Sequence, residues 1–258
     1  MLMYPRFAVL GSGSKANSYI FEWQDFSFVI DNGFSARNLL SRIELGGFSP
    51  QKIRYIFLTH GHEDHIRGVE TLSRQLKIPV VHHRSLPLEN YFKHTPVSKR
   101  IEPLMEYREG PLKFLAFPTY HDAPGAVNYY FSLGNKRFTL ITDTGKTDTD
   151  MLALASRSDV VFLESNYCPD MLKTGPYPWY LKQRIESDLG HLSNQQALEF
   201  LNKIPENGPG SIYLVHLSDT NNAVDRVEKT LAQGLTRKGK ITICPKNYQI
   251  IGEYGHRP

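Results

Sequence analysis

Short apolar runs that stop on a histidine or a carboxylate constrain this chain more than any other feature. Ile53 to Leu58 runs into Thr59-His60-Gly61-His62-Glu63-Asp64-His65. His121 comes soon after Phe114 to Pro118, Asp143 after Phe138 to Thr142, and His216 after Ile212 to Val215. Glu164 closes Val160 to Leu163, and Asp31 follows Phe26 to Ile30. Apolar runs this short read as buried strands. Each donor taken singly has an ordinary explanation. His121 could cap a turn, Asp143 could close an Asx turn in Asp143-Thr144-Gly145, His216 could be a satisfied edge histidine, and Asp31 could be a turn residue in Asp31-Asn32-Gly33. Their recurrence at strand ends points instead to side chains that converge from distant parts of the chain.

The run from His60 to His65 carries the chemistry. Three imidazoles and a carboxylate in six residues suit a borderline cation such as zinc, and manganese or iron as well. His60 and His62 can grip one ion, while Asp64 and His65 turn toward a second; Gly61 lets the backbone do this. Cys168 and Cys244 are the only cysteines, so neither a Cys-rich zinc site nor a disulfide framework is available. The helical zinc motif with two histidines separated by Glu-x-x is absent, which argues against a zinc peptidase of that type.

The 258 residues, 40% of them apolar, can build a sizeable core and are expected to form one domain spanning 1–258. Ser35 is placed as the cap of a helix to about Glu44, and Ser193 as the cap of one to about Asn202. Further helices are expected over Gly68 to Lys77, Thr149 to Ala155, Trp179 to Ser187 and Asn222 to Ala232. Strands are expected at Phe7 to Leu10, Ser18 to Phe21, Pro79 to Val81, Ala126 to Leu133, Ile241 to Cys244 and Gln249 to Ile251. Pro87 to Glu109 gives no secure assignment, and no internal repeat is evident. Two sheets with helices outside would bury these elements, as would a three-layer sandwich with one sheet. No apolar run approaches membrane-spanning length, and the N-terminus lacks the pattern of a secretory leader, so a cytoplasmic location is expected. The net charge of +4 leans toward anionic partners without establishing nucleic-acid binding.

With its opening Thr59, the His60–His65 run resembles the signature of the metallo-β-lactamase superfamily, and similar positions extend over nearly the whole chain. That resemblance implies an α/β fold, a four-layer αββα sandwich with the metal site at the edge between two sheets. It implies His121 as a further ligand of the ion held by His60 and His62. Asp143 would bridge both ions, and His216 would complete the site of Asp64 and His65. Asp31 would orient a ligand histidine from behind. Glu164 and His191 resemble the Glu–His dyad of the tRNA-3′-processing and related phosphodiesterase branches, though a buried structural pair would look the same. By the resemblance, His191 protonates the leaving oxygen and Glu164 sets its tautomer.

Finer matches point to the YycJ/WalJ-like group. They are Gly11-Ser12-Gly13-Ser14 with Asn17, Glu164-Ser165-Asn166-Tyr167, Gly175-Pro176-Tyr177-Pro178, Leu181-Lys182, Arg184-Ile185, Gly190-His191-Leu192-Ser193-Asn194, and His216-Leu217-Ser218 with Asn221-Asn222. Cys168 departs from the acidic residue usual before the proline, and Lys15-Ala16 from the usual small residue and glycine. These departures leave the proposed ligands in place and bear on substrate preference. The resemblance implies a DNA exonuclease acting from the 5′ end, with two divalent ions, zinc or manganese before iron, and a link to DNA repair. A metal-activated hydroxide would attack phosphorus, with Asp64 among the catalytic ligands and His191 as general acid. Two rival readings stand beside it: hydrolysis of a small cyclic phosphodiester, and a non-catalytic nucleic-acid binder with a structural metal site. Asn17, Asn166 and Asn222 could bind phosphate or brace loops. Tyr177, Trp179 and Tyr180 could stack bases, with ordinary core and rim packing the commoner use of such residues.

Overall fold

The computed structural model describes residues 4–94, 97–245 and 250–253. The first half contains strands β1 (Arg6–Gly11), β2 (Ser18–Trp23) and β3 (Phe26–Ile30), helix α1 (Ala36–Leu45), and strand β4 (Ile53–Phe57). Helices α2 (Glu63–Ile66) and α3 (Val69–Leu76) follow, then β5 (Val80–His83) and β6 (Ser98–Ile101). The second half contains β7 (Tyr107–Glu109), β8 (Leu112–Pro118), β9 (Val127–Leu133) and β10 (Lys136–Ile141). Helix α4 (Thr149–Ser156), β11 (Val160–Glu164), α5 (Pro169–Thr174), α6 (Trp179–Glu186) and α7 (Asn194–Lys203) come next. Strand β12 (Ser211–Val215), α8 (Val224–Gly234), β13 (Lys240–Ile243) and β14 (Ile250–Glu253) complete the chain's elements.

Among the described residues these strands form two seven-stranded sheets, ordered β14-β1-β2-β3-β4-β5-β6 and β13-β12-β11-β10-β9-β8-β7. Both halves follow one plan. An antiparallel meander (β1 to β3, and β7 to β10) leads into parallel strands reached through helices. The sequence shows no internal repeat, yet the topology does.

Strand β1 explains the layering. Phe7 and Val9 point into the core between the sheets, whereas Ala8 and Leu10 point outward to α1 and α3. Strand β11 does the same: Val160 and Phe162 face the other sheet, and Val161 and Leu163 face α4 and α7. A strand buried on both faces has no polar alternation, so its sequence reads as one apolar run. The result is helix, sheet, sheet, helix, the αββα sandwich, and the three-layer alternative is set aside. The inner core is largely aromatic. Phe21 sits at its centre, with ring centroids 4.7 Å from Phe131, 5.2 Å from Phe28 and 5.4 Å from Phe138.

The caps behave as local chemistry dictates. Ser35 accepts a hydrogen bond from the Asn38 amide, and Ser193 forms a reciprocal capping box with Gln196. Four expectations are corrected or completed. The His60–His65 run, given no element above, ends in one helical turn, Glu63–Ile66. The last long helix begins at Val224 instead of Asn222, whose side chain is occupied with the backbone of Ser165 and Asn166. Pro169–Thr174 forms a short unforeseen helix with Pro in its first turn. Pro87 to Glu109 contains the short strands β6 and β7. Gln249 lies outside the described residues. Among the described residues no helix is long and apolar enough to cross a membrane.

Truncating the central ring should be costly. Phe21→Ala is expected to remove about 3–5 kcal/mol of stability, read as a lowered urea midpoint.

Candidate metal centre

The donors gather beyond the C-terminal ends of strands, at one edge of the sandwich, with Asp64 and His65 carried on the α2 turn. His60 follows β4, His121 follows β8, Asp143 follows β10, and His216 follows β12. Asp31, Asp143 and His216 all adopt positive φ, at 56°, 52° and 60°. Non-glycine residues seldom do so, and such turns concentrate at functional sites. Here they swing side chains from the sheet ends into a common space.

Close packing of backbones holds the turn that carries Asp64 and His65. The Asn17 amide donates to the Asp64 carbonyl at 2.8 Å, and the Asn32 amide to the His65 carbonyl at 2.7 Å. A Cβ on Gly33 would lie 1.8 Å from the Asp64 carbonyl oxygen, so only glycine allows this approach. The Asn17 side chain also donates to Asp64 Oδ2 at 3.0 Å.

Proton bookkeeping fixes which nitrogens remain as donors. The buried Asp31 carboxylate accepts from the Thr59 amide at 2.9 Å, the Thr59 hydroxyl at 2.7 Å and His65 Nδ1 at 2.8 Å. Because the Thr59 hydroxyl spends its proton on Asp31, its oxygen accepts from His60 Nδ1 at 3.0 Å. His121 Nδ1 donates to the Gly190 carbonyl at 3.3 Å, and His216 Nδ1 to Glu164 Oε1 at 2.9 Å. In all four rings Nδ1 is the nitrogen engaged by the protein, so the neutral form of each presents its lone pair at Nε2, the arrangement a metal ligand needs.

Those lone pairs converge. His62 Nδ1 lies 3.0 Å from His60 Nε2 and 3.2 Å from His121 Nε2. A single proton on His62 could serve only one of these neighbours. Donor atoms of Asp64, His65 and His216 form a second cluster, and Asp143 stands between the two. Its carboxylate lies 3.4 Å from His216 Nε2, 3.6 Å from His65 Nε2 and 3.9 Å from His121 Nε2. Asp143 Oδ2 and His216 Nε2 are buried without a hydrogen-bond partner among the described residues. Orphaned buried groups of this kind call for a cation, and the nitrogen and oxygen donors fit one. The structure therefore brings together all seven residues read from the sequence as ligands, in two clusters able to coordinate divalent ions.

Glu164 holds more than was expected of it. Fully buried, it accepts from His191 Nδ1 at 2.8 Å as well as from His216 Nδ1, and the Thr144 amide donates to its other oxygen at 3.0 Å. Burial works against its charge, but His191 and His216 outweigh that and hold the carboxyl far below its ordinary range. One carboxylate thus ties the proposed proton donor to a candidate ligand.

The three asparagines brace loops. Asn17 ties down the metal turn, Asn166 donates to the His216 carbonyl at 2.9 Å, and Asn222 donates to the carbonyls of Ser165 and Asn166. Tyr177 lines the cleft and meets Thr220 through its hydroxyl at 3.2 Å. Core packing does not describe Trp179 and Tyr180, which are 72% and 71% exposed on α6. Sequence reading missed Asp122, whose Oδ1 is 3.7 Å from His121 Nε2. It also missed the role of Ser12, which accepts from the His216 amide. Adjacency to His121 was the only available signal for Asp122.

Comparison with known proteins agrees with this geometry. Residues 27–217 match the family model described as "Beta-lactamase superfamily domain". The chain is 31% identical over 238 residues to Exodeoxyribonuclease WalJ of Streptococcus pneumoniae serotype 2, covering 90% of this chain and 88% of that protein. It is 30% identical over 237 residues to Exodeoxyribonuclease YycJ of Bacillus anthracis, covering 90% of each. Among solved structures, the metallo-beta-lactamase fold protein YhfI from Bacillus subtilis superposes with a TM-score of 0.74 at 19% identity. That superposition covers 96% of this chain and all of YhfI.

Two outcomes follow for metal binding. Asp31 aligns two candidate ligand histidines, so Asp31→Asn should weaken zinc affinity about 10- to 100-fold in competition with a chromogenic chelator. The clusters should also differ in pH response. Burial disfavours a charged His216, but Asp143 and the bond to Glu164 lift its pKa to about 9. His60, His62 and His121 are pushed downward, first by burial. Burial works against a charged His65 as well, but Asp143, Asp64 and Asp31 lift its pKa, and it shares the cluster of His216. A cation there must displace protons from both rings, so its affinity should fall at least about tenfold per pH unit between 9 and 7. Affinity at the His60–His62–His121 cluster should stay nearly level over that range, measured by two-site titration.

Proposed function

This chain belongs to the metallo-β-lactamase superfamily and its WalJ/YycJ-like group, and from that footing we propose that it is an exonuclease hydrolysing DNA from the 5′ end. It is a metal-dependent hydrolase, and residues 1–258 act as one domain in this reading. The observation that carries the proposal is the Glu164–His191 hydrogen bond of 2.8 Å beside two metal-competent clusters. That pair suits chemistry in which an oxygen leaving group must be protonated, as it must in phosphodiester cleavage.

His60, His62 and His121 would hold one ion, Asp64, His65 and His216 the other, with Asp143 shared. Divalent ions so held would supply Lewis-acid stabilisation of phosphate oxygens and lower the pKa of a bound water. The chain's own residues do the rest. His191 lines the cleft with its Nδ1 fixed on Glu164, which leaves Nε2 to hand a proton to the departing oxygen. Glu164 compensates the imidazolium before transfer and keeps the ring in one orientation. The cleft, about 370 Å³, reaches from Ser14 and Ser218 past the donors to α6, room for a nucleotide at the reacting phosphate. The choice of DNA rests on the WalJ and YycJ relatives, both exodeoxyribonucleases that this chain matches over nine-tenths of its length.

The test is a nuclease assay on metal-replete protein with 5′-phosphorylated single- and double-stranded DNA, RNA and cyclic nucleotides in parallel. DNA labelled at the 5′ end should lose its label before the strand shortens appreciably from the 3′ side. His191→Ala should lower turnover about 10²- to 10⁴-fold with both ions retained by elemental analysis. No hydrolysis of any phosphodiester at full metal occupancy would refute the proposal.

A further inference from the structure

Helix α6 forms one wall of the cleft and contributes no buried residue to any core. Leu181, Arg184 and Ile185 line the cleft from it. Among the described lining residues Arg184 is the one side chain that stays cationic at any working pH; the others are neutral, acidic or histidine. Its guanidinium is not loose. Nε donates to Asp122 Oδ2 at 2.5 Å and Nη2 to Asp122 Oδ1 at 3.0 Å, a two-pronged contact. Asp122 follows His121 directly, and its Oδ1 lies 3.7 Å from His121 Nε2 and 3.9 Å from His62 Nε2. The carboxylate therefore fixes the arginine fork beside the His60–His62–His121 cluster.

We propose that Arg184 binds the non-bridging oxygens of the substrate's phosphate, with Asp122 as the positioning residue that aims it. This deepens the nuclease reading and rests on it. A guanidinium has five N–H donors, and Asp122 engages two of them. The remaining edge suits a tetrahedral oxyanion, which arginine grips with a fixed fork where lysine offers only a point charge. Half exposed at the mouth, Arg184 can meet an incoming strand before the phosphate reaches the metal ligands. Its contribution is to binding, so removing it should act on KM more than on kcat.

A plain structural latch between α6 and the body is the rival account, and the experiment separates the two. Metal-loaded wild type, Arg184→Gln, Arg184→Lys and Asp122→Asn are assayed on a 5′-phosphorylated oligodeoxynucleotide, with melting temperature and bound metal measured on each. Arg184→Gln should raise KM at least about tenfold, leave kcat within about threefold, and flatten the salt dependence of oligonucleotide binding by about one in log–log slope. Arg184→Lys should restore the salt slope but only part of the KM, because the charge returns without the fork, and Asp122→Asn should show a smaller rise than Arg184→Gln. Melting temperature and metal content should match wild type in both Arg184 variants. The proposal is overturned if Arg184→Gln keeps the wild-type KM and salt slope. It is equally overturned if both Arg184 variants lose melting temperature or metal in step with their activity. A wild-type protein inactive on every phosphodiester would instead refute the nuclease reading beneath it.

Discussion

The buried carboxylate of Asp143, enclosed by His216, His65, His121 and His191 at 3.4 to 3.9 Å, sets the terms for the rest of the structure. An ionised group taken out of water costs several kcal/mol unless positive charge compensates it. Three imidazoles that follow separate strands, with His191 from the segment between α6 and α7, meet that need only because the two sheets bring their edges together. The positive φ of Asp143 and His216 is the local strain that the convergence requires. Burial alone would raise the pKa of Asp143, yet His216 and His65 hold it below its ordinary value. An environment built to keep a carboxylate ionised and imidazole lone pairs aligned is an environment for cations.

Support for that arrangement comes from carboxylates one step further back. Asp31 orders His65 directly and His60 through the Thr59 hydroxyl. Glu164 orders His216 and His191 together. One buried acid thus serves each half of the sandwich, which mirrors the repeated plan of meander followed by parallel strands. The same Glu164 oxygen restrains both the proposed acid and a candidate ligand.

The layers and donors were legible in the sequence to different degrees. Apolar runs ending on a donor gave the strands and their convergence, because burial on both sheet faces imposes continuous hydrophobicity. The ends of α1 and α7 could be read from Ser35 and Ser193, whose side chains cap them. The single turn at Glu63–Ile66 could not, since it is set by the Gly33 and Asn17 backbones pressing on Asp64. Nor could the double duty of Glu164, because His191 and His216 are 25 residues apart in sequence and meet only in the fold. Asp122 and Arg184 were hidden for the same reason. Their pairing across 62 residues depends on where α6 lies over the cleft. Trp179 and Tyr180 look like core residues by composition, and only the absence of any buried face on α6 leaves them in solvent.

The proposed chemistry requires a pair of cations seated around Asp143. Anomalous scattering from crystals of metal-loaded protein, collected on both sides of the zinc and manganese edges, examines this most directly. Two peaks are predicted, one within reach of His60, His62 and His121 and one within reach of Asp64, His65 and His216, with Asp143 contacting both. A fully active protein whose crystals show no anomalous peak between those clusters would contradict it.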